Sequence, residues 1–67
     1  MDEGADKDIQ TVLAIYPNAT AMSDYNDESI WSFIRTDRDA DGLAVGEILG
    51  IGLTQRAAWK DAAEKLS

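Results

Sequence analysis

Apolar residues recur at helical spacing in two clear places along this chain. Ile9, Val12, Leu13 and Tyr16 fall at i, i+3, i+4 and i+7 and make one stripe of a helix. Asp6 or Asp8 caps its first turn, where negative charge meets free amides. Pro17 ends it, because the residue before a proline is pushed out of helical geometry. Trp59, Ala62, Ala63 and Leu66 form the second stripe, behind Thr54 as its cap. Asp61 and Lys65 stand i, i+4 on that helix, a pair worth a few tenths of a kcal/mol.

Between them the pattern is shorter. Ile30, Phe33 and Ile34, with Trp31 on the margin, predict a helix that starts near Asn26 or Asp27 and ends before Asp37. Asp27 and Glu28 lie in its first turn and Arg35 in its last, which matches the helix dipole. Val45, Ile48 and Leu49 predict a short helix over residues 43–49, ended by Gly50 and Gly52. Residues 17–26 read as a loop anchored by Met22 and Tyr25, with an extended piece over 19–22 that has no partner strand. The expectation is an all-α fold, a compact three- to four-helix domain.

Length and composition narrow the chemistry. Sixty-seven residues make a single small domain, 1–67, with residues 1–5 expected to fray. There is no cysteine, which removes disulfides and thiolate sites and makes the cytoplasm the expected compartment. No histidine is present either, so the commonest general base and zinc ligand is missing and an enzyme is not expected. The acidic start is the reverse of a signal peptide, and no apolar run is long enough to span a bilayer, so no membrane partner is expected.

Charge changes the picture more. The net charge is −7 and it is uneven. Asp2, Glu3, Asp6, Asp8, Asp24, Asp27 and Glu28 are opposed only by Lys7 over residues 1–30, while residues 31–67 are close to balanced. An acidic front half predicts an asymmetric surface field and a basic partner.

Two segments resemble known motifs. Asp37, Asp39, Asp41 and Gly42 match positions 1, 3, 5 and 6 of an EF-hand calcium loop, with apolar flanks at Phe33 and at Ile48 and Leu49. Position 12 is Ile48, and Glu47 stands at 11, so Glu47 serves as the bidentate ligand only in a loop one residue shorter. The resemblance implies an atypical calcium site at Asp37, Asp39, Asp41 and Glu47. The segment from Leu43 to Leu66 resembles a helix-turn-helix, with Gly46 where two helices touch, Gly50 in the turn and Ile51 after it. That resemblance makes the C-terminal half helix-turn-helix-like and implies that Thr54, Gln55, Arg56 and Lys60 face DNA. Arg56 and Lys60 are interleaved with Asp61 and Glu64, a poor patch for neutralising phosphates.

The leading expectation is a non-enzymatic acidic protein-binding module without a cofactor. Its carboxylates Asp2, Glu3, Asp6, Asp8, Asp24, Asp27 and Glu28 would engage a basic protein surface, and apolar anchors would supply affinity. Trp31 or Trp59 becomes such an anchor if exposed. In size and charge the chain is similar to small acidic inhibitors of phages and mobile elements, some anti-CRISPR proteins among them. That similarity implies a nucleic-acid mimic that occupies a nucleic-acid-binding protein. A helix-turn-helix DNA-binding regulator is the second expectation and a calcium-binding module the third.

Overall fold

The computed structural model describes the backbone of residues 3–25 and 30–66, and the side chains of residues 6–24 and 30–66. Its elements run α1 (Glu3–Ile15), β1 (Thr20–Tyr25), β2 (Ile30–Arg38), β3 (Ala44–Gly52) and α2 (Gln55–Leu66). The strands form one antiparallel sheet in the order β1-β2-β3. The fold is α+β, which corrects the expected all-α domain: the segments read as the second and third helices are strands.

The physical reason lies in the residues of those segments. Ile30, Trp31, Phe33, Ile34 and Thr36 are β-branched or aromatic, the types that suit a pleated surface. The apparent helical spacing of Ile30, Phe33 and Ile34 covers only one turn. In a strand, Phe33 and Ile34 point to opposite faces, and both faces of β2 carry apolar residues. β3 carries three glycines inside its nine residues, which in a strand mark a bulge or a close backbone approach rather than a helix end.

The acidic run is the turn between β2 and β3. The Asp39 carbonyl accepts from the Gly42 amide at 3.0 Å, and the Asp39 amide donates to the Leu43 carbonyl at 2.9 Å. Asp39 Oδ1 accepts from the amides of Asp41 and Leu43, each at 2.9 Å. Gly42 takes φ of 84°, a left-handed conformation that glycine adopts without steric cost. Strands enter and leave this loop, so the helix-loop-helix frame of an EF-hand is absent. The helix-turn-helix expectation is corrected on the same ground, because its first helix is β3.

Both terminal stripes form helices. α1 starts at Glu3, earlier than Asp6, and buries Val12 completely, with Ile9, Leu13 and Tyr16 packed around it. α2 is capped by Thr54, whose Oγ1 accepts from the Ala57 amide at 3.0 Å. Trp59, Ala62 and Ala63 are buried, and Lys65 Nζ meets Asp61 Oδ2 at 2.9 Å.

The layers are α1 on α2, and α2 on the sheet, where it lies against β3 and β2 and reaches β1. Their core joins Val12, Ile34, Leu49, Ala58, Trp59, Ala62 and Ala63. Full burial of Val12 and of Ile34 contributes roughly 2 kcal/mol each. The contact between α2 and β3 is made by backbone. A Cβ on Gly50 would overlap the Ala58 carbonyl and the Ala62 amide, and one on Gly52 would stand 2.7 Å from the Ala58 amide. Alanine on the helix and glycine on the strand let two main chains approach where larger residues would hold them apart. Ser32, also buried, meets Ser23 across the strands with its Oγ 3.2 Å from the other hydroxyl.

Candidate protein-docking face

The register of the sheet sorts its side chains into two faces. Ile34 pairs with Ala21 and Gly50, and Ser32 pairs with Ser23 and Gly52; these rows lie under α2. The alternate rows point away from the helices. Phe33 pairs with Met22 on one side and Ile51 on the other, Trp31 pairs with Asp24, and Arg35 pairs with Thr20 and Ile48. Met22, Trp31, Phe33, Ile48 and Ile51 belong neither to the core nor to the residues packed against it. Trp31 is 38% exposed, Ile51 42% and Ile48 53%. An apolar row thus crosses all three strands on the face that no described helix covers.

Two shifts in register shape the far end of this face. They fall between Ile34 and Arg35 and between Arg35 and Asp37. The extra residue at the first lets Leu49 and Gly50, adjacent in sequence, both turn inward. At the second, Gly46 has φ of 90°, and a Cβ there would overlap Thr36 Oγ1. The Glu47 amide donates to that same hydroxyl at 3.3 Å. Arg35 donates from Nε to the Gly46 carbonyl at 2.9 Å, and from Nη2 to the same oxygen. Its guanidinium is therefore fixed beside the bulge.

Carboxylates stand at both ends. Asp24 is exposed next to Trp31, and exposed Asp37 follows Arg35 toward the turn that carries Asp39 and Asp41. The outer edge of β3 is partly closed from the helix side. The Ile51 amide donates to Asp61 Oδ2 at 3.0 Å. Lys65 first, and then this amide, hold the Asp61 carboxyl below its ordinary range.

The other expected site residues fall elsewhere. Asp6 and Asp8 are on α1 in the helical layer, and Asp24 is on the open sheet face, so these three are not brought together. Asp2, Asp27 and Glu28 lie outside the described residues, as does the side chain of Glu3. Thr54, Arg56 and Lys60 line a groove of about 420 Å³ with Asp8 and Ala57, while Gln55 is exposed at the start of α2. Asp37, Asp39, Asp41 and Glu47 are all exposed. Among the described residues no three carboxylates converge as a metal site would require. Also among the described residues, no helix is long and apolar enough to cross a membrane.

Of this open face, reading the chain as helices named Trp31 as an anchor if exposed, took Met22 as an anchor of a loop, and missed Phe33, Ile48 and Ile51 as outward residues. The signal was present: a strand with apolar residues on both faces needs a cover on both. No protein-family model, curated protein or solved structure matches the chain.

Proposed function

We propose that this protein is a non-enzymatic binding module that docks a basic protein surface onto its open sheet face. The observation that carries the reading is the row Met22–Phe33–Ile51, with Trp31 and Ile48 beside it, outside the helix-covered core. Aromatic and aliphatic anchors of this kind supply most of the affinity at protein interfaces. Carboxylates at the ends of the face, on a chain of net charge −7, favour a cationic partner and speed its encounter. A nucleic-acid-binding protein is the finer identity of such a partner, because its phosphate-binding surface is already basic.

The test is parallel capture from host extract with wild type and with the Trp31→Ser/Ile51→Ser variant. Both positions are exposed, so the variant keeps its core. The expected result is a basic protein held by wild type, released by salt and absent from the variant. Equal retention by both proteins, or retention of nothing, goes against the reading. Displacement of the captured protein by duplex DNA supports the finer identity.

A further inference from the structure

We infer that the element received by the open face is an amphipathic helix of about 13 residues, with Lys or Arg at both ends. This rests on the docking reading above and adds the shape and charge order of the partner. The footprint comes from the opposite face. There α2, a helix of 12 residues, reaches all three strands of the sheet. The same three strands, about 4.8 Å apart, offer the outer face a width close to one helix diameter of about 10 Å.

The length and charge order come from β2. Asp24 lies at the Trp31 end and Asp37 at the other, with Asp39 and Asp41 beyond it. Six residue steps along the strand take Trp31 to Asp37, about 20 Å at 3.3 Å each, and a helix covers that span in about 13 residues. Cations at both ends of such a helix meet carboxylates. Its central stripe meets Met22, Phe33, Ile48 and Ile51. Arg35, held to the Gly46 carbonyl, stands two residues from Asp37 and partly offsets it, while Asp39 and Asp41 in the turn beyond keep that end negative.

Other occupants fit less well. A second copy would set Asp24 and Asp37 against like charges on a chain that is also at −7. Its own described helices already spend their apolar stripes on the core. An added strand would pair along the outer edge of β1 or β3, which leaves the apolar row on the open face uncovered, and at Ile51 the β3 amide is already taken by Asp61.

The experiment is an NMR titration of the full chain with three synthetic 14-residue peptides. One is a Leu-striped helix with Lys at both ends, one has the same composition with Leu and Lys alternating, and one is the striped helix with Glu for Lys. The expected result is saturable binding of the first, about tenfold tighter than of the others. Shifts should be confined to Met22, Trp31, Phe33, Ile48 and Ile51, and Trp31→Ser/Ile51→Ser should weaken binding by about tenfold or more. Tighter binding of the alternating peptide, shifts along the outer edges of β1 or β3, or no binding by any peptide would overturn the inference. If the host partner is still lost from the double variant while no peptide binds, the helix is wrong and the docking reading stands. If the host partner is also retained equally by the variant, both fail.

Discussion

At Gly50 the room for one methyl group is taken by the backbone of α2. Gly50→Ala puts its Cβ into the Ala58 carbonyl and the Ala62 amide, and neither is a side chain that could turn aside. The expected cost is about 3 kcal/mol, a large share of the roughly 3–10 kcal/mol available to a domain of this size. Gly42→Ala is the contrast. Nothing lies within 4 Å of a Cβ there, so only the left-handed backbone is strained, at about 1 kcal/mol. Urea denaturation of the two variants measures the difference. Asp61 is the residue whose charge matters to stability. Because its carboxyl is held below its ordinary range, the stabilisation is present at neutral pH and above the ordinary carboxylate range, and fades as pH falls through the lowered folded value. Asp61→Asn should therefore flatten the acid side of the stability profile below about pH 4, measured as the urea midpoint against pH. Asp61→Ala also leaves the Ile51 amide without its acceptor and should cost about 1.5 kcal/mol at neutral pH.

Elements explain what could and could not be read from the chain. The two helices were legible because each repeats its apolar spacing over more than two turns and has a visible stop or cap, Pro17 for α1 and Thr54 for α2. The strands were not, for three physical reasons. β2 is apolar on both faces, so Trp31, Phe33 and Ile34 showed no alternation. β3 gains a residue at each of its bulges, which breaks the two-residue period between Val45 and Gly50. In the turn between them, alternate carboxylates and a glycine serve a hairpin as readily as a calcium loop. The readable hairpin signal was Gly42 itself, which takes the left-handed position at the end of the turn that begins at Asp39. Asp39 does the structural work of that turn by accepting two amides. Asp39→Ala should lower stability by about 1–2 kcal/mol, and thermal unfolding of wild type should be the same with millimolar calcium as with chelator. Of the open sheet face, Trp31 was visible as an anchor if exposed, and Met22 only as a residue holding a loop. Phe33, Ile48 and Ile51 were hidden because their outward direction depends on pairing across strands far apart in sequence.

The whole molecule sets an apolar surface against a strong net charge. At low salt, mutual repulsion of chains at −7 keeps open faces apart, and the protein should sediment as a monomer. Raising the salt shortens the screening length from about 10 Å at 0.1 M to about 3 Å at 1 M, which removes that repulsion and leaves the apolar row uncovered. Larger species should then appear in analytical ultracentrifugation for wild type and stay absent for Met22→Ser/Trp31→Ser/Ile51→Ser. That triple variant should unfold within about 1 kcal/mol of wild type, because none of the three residues belongs to the packed core. The seam of Gly50 and Gly52 against Ala57, Ala58 and Ala62 gives the two sides of the sheet very different freedom to change. Under α2 there is no slack for a bulkier residue. On the other side, substitution at Trp31, Ile48 or Ile51 meets solvent and has little to disturb. Under the docking reading, specificity can accordingly be rewritten at the exposed outward positions Trp31, Ile48 and Ile51 without renegotiating how the chain folds, so one skeleton can carry unrelated specificities.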